Sequence, residues 1–170
     1  ITEVKDRKLI IRFPNKNLVW KDFDPGKIVI YVTVPEINAL NVSGSGDIIC
    51  EDGINSRIID LSVSGSGDIK LDGLKSEQVK AVVSGSGDVV IKGSETATDL
   101  SVTISGSGNF NSFDFPAEDV NIKVSGSGNS TVHAKNKLTV KVAGSGEVRY
   151  RGKPLIDQSV VGSGSVKSID

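Results

Sequence analysis

The stretch Leu61-Ser62-Val63-Ser64-Gly65-Ser66-Gly67-Asp68-Ile69-Lys70-Leu71 alternates inward and outward residues across a glycine pair. Leu61, Val63, Gly65, Gly67, Ile69 and Leu71 share one parity; Ser62, Ser64, Ser66, Asp68 and Lys70 take the other. A period of two reads as β-strand with the apolar set turned inward. Both glycines fall on the inward parity. They mark a corner where a side chain would collide with the interior or forbid the backbone angles. The parity returns at Leu40, Val42, Ile48 and Cys50, at Val83, Val89 and Ile91, and at Val102, Ile104 and Phe110. It returns again at Ile122, Val124 and Val132, at Val140, Val142, Val148 and Tyr150, and at Val160 and Val166.

Gly-Ser-Gly begins at Gly44, Gly65, Gly85, Gly106, Gly126, Gly144 and Gly162, at intervals of 21, 20, 21, 20, 18 and 18 residues. Self-similarity at this period is the mark of a solenoid, in which each coil stacks on the last. Asp52-Gly53, Asp72-Gly73, Lys92-Gly93 and Arg151-Gly152 supply turn chemistry for a second corner. Stretches such as Val79–Val83 and Leu138–Val142 lead back as a third strand. The expectation is an all-β fold, a single-stranded parallel β-helix of about seven coils of 18–21 residues. Rungs about 4.8 Å apart would make it roughly 30 Å long. Left-handed β-helices keep a strict hexapeptide repeat, which the spacings of 20 and 21 residues break, so the right-handed form is expected.

One domain, residues 1–170, accommodates all of this. Residues 1–37 are expected to hold N-terminal strands, Arg7–Phe13 and Lys27–Val34 with Trp20 and Pro25-Gly26 between them, forming a cap or first coil. Residues 38–170 carry the repeats, and Ser163–Asp170 offers little cover for the far end.

Stacking turns each motif position into a column. The corner glycines are Gly44, Gly46, Gly65, Gly67, Gly85, Gly87, Gly106, Gly108, Gly126, Gly128, Gly144, Gly146, Gly162 and Gly164. Outside them run Ser45, Ser66, Ser86, Ser107, Ser127, Ser145 and Ser163, and beside these Asp47, Asp68, Asp88, Asn109, Asn129, Glu147 and Ser165. The acidic column invites a calcium reading. However, calcium-binding β-rolls use a nonapeptide with different glycine spacing, and here the residue is no longer aspartate after the third copy. Local backbone bonding and stacking of Asp and Asn account for the column, and no metal or other cofactor is expected.

No glycine copy continues into the Lys and hydroxyl of a P-loop, and no helical periodicity follows. His133 is the sole histidine and sits on the polar parity, so a surface position is expected and no catalytic residue is assigned. Twenty basic against 21 acidic residues leave a net charge of −1, without the footprint of a nucleic-acid binder. The locally basic first 27 residues read as a solvated strand face. Cys50 is the lone cysteine, excluding an internal disulfide framework, and no apolar run is long enough for a transmembrane helix. The chain starts at Ile1 without any Met, so its native start is expected to have been removed, and no signal peptide stands within these residues.

Val34-Pro35-Glu36-Ile37-Asn38-Ala39-Leu40-Asn41-Val42-Ser43-Gly44-Ser45-Gly46-Asp47, with the Ser-Gly-Ser-Gly-Asp or -Asn copies after it, resembles the head-GIN-domain family of auto-transporter adhesins. That family is known chiefly from secreted or lipid-anchored proteins of Bacteroidetes. The resemblance covers nearly the whole chain. It implies a right-handed β-helix outside the cytoplasm, in the periplasm, anchored to the outer membrane or at the cell surface, with a role in adhesion. It supplies no catalytic residues. The expected function is a non-enzymatic cell-envelope or cell-surface binding module whose partner is a surface protein or glycan. The alternative is a structural β-helix that self-associates as a homo-oligomer through its coil ends. A carbohydrate-active enzyme stands behind both, because every coil is too short to build a cleft.

Overall fold

The computed structural model describes residues 1–12, 26 and 28–170, and all regular structure among them is β. No helix among these residues is long and apolar enough to cross a membrane. The chain divides into two compact units, Ile1–Thr33 and Val34–Asp170.

In the first unit Thr2–Lys5 and Lys8–Ile11 form an antiparallel hairpin with Val4 opposite Leu9. Asp6 and Arg7 have φ of 51° and 63°, as a two-residue type I′ turn demands. Arg7 therefore turns the chain, and the strand expected from Arg7 begins at Lys8. Its expected end, Phe13, lies outside the described residues, as do Trp20, Pro25 and Lys27. The second expected strand does not form over residues 28–34. Apolar residues can propose a strand, but only a hydrogen-bonding neighbour makes one. No described segment pairs here, and Ile28, Val29, Ile30, Tyr31, Val32 and Val34 are all exposed.

The second unit is a parallel β-solenoid. Its long face has seven rungs: Ala39–Gly44, Ile58–Gly65, Gln78–Gly85, Ala97–Gly106, the ends of Asn109–Gly126 and Ser130–Gly144, and Leu155–Val161. A shorter face stacks Ile48–Cys50, Ile69–Leu71, Asp88–Ile91, the starts of Asn109–Gly126 and Ser130–Gly144, Glu147–Arg151 and Ser165–Ser168. The register is that of the repeat, with Gly44, Gly65, Gly85, Gly106, Gly126 and Gly144 in one column.

Inward parity makes the core. Three long-face columns run Ile59, Val79, Leu100, Val120, Leu138; Leu61, Ala81, Val102, Ile122, Val140; and Val63, Val83, Ile104, Val124, Val142. None of these residues is more than 2% exposed. Each fully buried Val, Leu or Ile contributes about 1.5–3 kcal/mol. The short-face column Ile69, Val89, Phe110 is followed by Ser130, a small residue stacked on a large ring. The hydroxyls of Ser130 and Ser112 are buried without a partner among the described residues.

The third face is much reduced. It is a two-residue ladder, Ile54–Asn55 on Leu74–Lys75, in the first coils. From Asn109 onward the faces merge into continuous strands of 18 and 15 residues, with register shifts between Ser112 and Pro116 and between Ala117 and Asp119. No glycine stands at this corner in Phe113-Asp114-Phe115-Pro116 or His133-Ala134-Lys135-Asn136, so the chain bends through bulges instead. Gly93 also departs from its counterparts. Gly53, Gly73 and Gly152 have positive φ, whereas Gly93 is needed because a Cβ there would press on the Leu74 carbonyl and the Phe115 ring.

Candidate functional site

The corner repeated along the second unit uses its two glycines for different reasons. Gly85 has φ of 121°, a backbone region that L side chains avoid. Gly87 has no such constraint; a Cβ there would instead lie inside van der Waals contact with the Gly67 carbonyl oxygen and 2.7 Å from Val63 Cγ1. The first glycine's carbonyl then serves the next coil. Gly65 O accepts from Ser86 N at 2.8 Å and Gly87 N at 3.2 Å, and Gly85 O accepts from Ser107 N at 2.9 Å and Gly108 N at 3.0 Å. This close backbone approach lifts the intervening serines outward. Ser45, Ser66, Ser86, Ser107, Ser127, Ser145 and Ser163 are all exposed.

The adjoining Asp and Asn column is a directional hydrogen-bond ladder. Asp68 N donates to Asp47 Oδ1 at 3.0 Å, Asp88 N to Asp68 Oδ1 at 2.9 Å and Asn109 N to Asp88 Oδ1 at 3.0 Å. Asn129 N donates to Asn109 Oδ1 at 3.3 Å and Glu147 N to Asn129 Oδ1 at 3.0 Å. Each side chain thus holds the backbone of the following coil. Asn serves as well as Asp because the task needs only an oxygen acceptor. Asn adds a second bond, Nδ2 of Asn109 to Asp88 Oδ1 at 2.9 Å and Nδ2 of Asn129 to Asn109 Oδ1 at 3.1 Å. The ladder ends at Glu147. Its carboxylate pairs instead with Arg149 and Lys167, each at 2.7 Å, and Ser165 N turns to Gly146 O.

Donation from Asp88 N, then the ammonium of Lys70, holds the Asp68 carboxyl below the ordinary carboxylate value. A carboxyl with a lowered folded value stabilises the fold above its unfolded pKa, near 3.9, and loses that contribution as pH falls through the lower folded value. Asp68→Asn keeps the acceptor for Asp88 N but loses Lys70. Its stability deficit, read by urea unfolding, should be full above about pH 5 and disappear as pH falls through the lowered folded value. Lys167 first, then Arg149, lowers Glu147 in the same sense.

His133 is half-buried, one rung from Pro116 and one from Arg151. Burial, then Arg151 and Lys135, lowers its pKa, and no hydrogen bond joins it to a serine or carboxylate among the described residues. Arg151 lies 5.2 Å from the centroid of the Phe113 ring, and Lys135 Nζ reaches back across two coils to Thr96 Oγ1 at 2.7 Å. Asn129, Ser130, Thr131, Glu147 and Arg149 line a shallow depression beside the ladder. Sequence reading passed over this charged cluster. Its signal was there: Glu147 and Arg149 two apart on one strand face, and Lys167 eighteen residues beyond Arg149.

With glycine corner, serine column and amide ladder in one repeated unit, the comparison with known proteins is decisive. Residues 1–154 match the family model "Putative auto-transporter adhesin, head GIN domain". The chain belongs to this family. Among solved structures, this head GIN domain is similar to a "putative adhesin" from Bacteroides fragilis, at 27% identity and TM-score 0.79, covering 99% of this chain and 76% of that one. A "putative lipid binding protein" from Parabacteroides distasonis is 28% identical with TM-score 0.76, over 79% of this chain and 55% of that one. A "putative adhesin" from Parabacteroides merdae is 25% identical with TM-score 0.71, over 78% and 57%. The head GIN domain thus spans little more than half the length of the Parabacteroides proteins it matches. No curated protein matches it in sequence.

Proposed function

We propose that the chain is a non-enzymatic binding module of the cell envelope, acting outside the cytoplasm by adhesion to a surface protein or glycan. Twelve hydroxyls carry this reading. Ser43, Ser64, Ser84, Ser105 and Ser125 line one side of the glycine corner, and Ser45, Ser66, Ser86, Ser107, Ser127, Ser145 and Ser163 follow it. All are exposed, and among the described residues none forms a bond through its hydroxyl. Rungs about 4.8 Å apart hold them as a regular donor and acceptor array. Such an array suits a hydroxyl- or amide-rich surface, where many weak contacts add. Membership of an adhesin family, and the adhesin names of the solved relatives, support the same reading and the extracytoplasmic location.

Ser86→Arg with Ser107→Arg places two long cations in the middle of the array without touching the core. On a glycan array and on immobilised extracellular-matrix proteins, the unmodified chain should bind and the double variant should lose at least about tenfold in affinity. Equal binding by the two chains, with equal melting temperatures, would move the site elsewhere.

A further inference from the structure

We infer that Lys123 and Lys141, stacked on the outward side of the long face, seat the carboxylate or sulfate of an acidic glycan. Charge is unevenly spread along the second unit. Residues 34–119 carry 14 acidic and five basic side chains, whereas residues 120–156 carry seven basic side chains and one carboxylate, Glu147. Clustered charge of one sign raises the local concentration of ions of the other. The two lysines lie within the stack, with Ala97–Gly106 paired before the strand of Lys123 and Leu155–Val161 after that of Lys141.

Register brings the pair together. Lys123 and Lys141 are partners on adjacent rungs, about 4.8 Å apart, and both are exposed. The column they continue holds Asn41, Ser62, Val82 and Thr103 before them and Ser159 after, so no carboxylate stands above or below. Like charges set opposite each other cost stability. Lys70, Lys75 and Lys167 are answered within the chain, by Asp68 at 3.0 Å, Glu95 at 2.8 Å and Glu147 at 2.7 Å. Lys123 and Lys141 have no such partner among the described residues, and neither Asp119 nor Asp157 reaches them. An external anion bridging both ammonium groups would relieve the repulsion through charge-assisted hydrogen bonds.

The surroundings select what carries the anion. Along the same strands and on the adjoining rungs the pair is bordered by Thr103, Asn121, Ser125, Thr139, Ala143 and Ser159. Hydroxyls and an amide both donate and accept, as the hydroxyls of a sugar ring require. None of these neighbours is a large apolar group that would anchor in a lipid surface, and none is an aromatic on which a nucleic-acid base would stack. A glycan bearing carboxylates or sulfates matches both the charge and its polar border. This site goes beyond the serine array, since Lys123 and Lys141 occupy a different column.

The full chain is tested for binding to alginate, which carries only carboxylates, to dextran sulfate, which carries only sulfate esters, and to neutral dextran. It should bind at least one of the two polyanions, more weakly as salt rises, and not dextran. The polyanion bound identifies the group seated. Lys123→Gln with Lys141→Gln should lose at least about tenfold in affinity at an unchanged melting temperature. Lys123→Arg with Lys141→Arg should retain binding. Lys5→Gln with Lys8→Gln removes the same charge from the N-terminal hairpin and should leave affinity unchanged. Binding to neither polyanion, or an equal loss in the two glutamine variants, would overturn the inference. So would binding to phosphatidylglycerol vesicles or duplex DNA as tight as to the polysaccharides. The serine array is judged separately, on Ser86 and Ser107.

Discussion

Truncating Phe110 to alanine should cost about 3–5 kcal/mol, read as a drop in the urea midpoint. The ring is 1% exposed and stands in a column between Val89 below and Ser130 above. Large-to-small changes cost most where neighbours cannot close on the cavity. Here the coils on both sides are held by their own backbone ladders, so rung spacing cannot shrink to fill the hole. Ser130 is too small to lean into it. Ile49→Ala, on the outward parity of the same face and 63% exposed, should shift stability by no more than about 0.5 kcal/mol.

The second large effect is expected at an interior corner. Gly87→Ala adds one methyl group directed at the Gly67 carbonyl oxygen and at Val63 Cγ1, 2.7 Å away. Neither can yield easily, since the first belongs to the hydrogen-bonded backbone of the coil below and the second is a fully buried side chain. Overpacking of a fixed core costs about 1–3 kcal/mol and more where backbone must move. A loss of at least about 3 kcal/mol is the expected result, a large share of a single domain's stability. Circular dichroism should show a lowered or absent cooperative melt.

The solenoid was legible because its information is repeated. Parity, corner spacing and column identity recur in each copy, so the pairing of Val63 with Val83 and of Val83 with Ile104 follows from alignment of the chain with itself. Where the repeat lapses, so does the reading. Phe113-Asp114-Phe115-Pro116 has no counterpart in other copies, and its bulged corner depends on where Phe115 finds room. The hydrophobic run before Val34 carries strand-forming residues, but composition alone cannot say whether a neighbour exists to pair with them. The ladder was half visible. Its column of Asp and Asn could be read, whereas its direction, each side chain accepting from the following coil, depends on distances that emerge only on folding. The Glu147, Arg149 and Lys167 cluster went unread because the coil before it holds uncharged Asn129 and Thr131 at the places of Glu147 and Arg149.

Coils pack so closely at the corner that the coil beneath requires the second glycine. One paired melting experiment isolates this. Gly46 occupies the same place in the first copy as Gly87 in the third, yet no described residue lies within 4 Å of where its Cβ would stand. Gly46→Ala should melt with the unmodified chain, and Gly87→Ala should not. Equal melting of the two variants, whether both unharmed or both unfolded, would contradict the stacked-corner account.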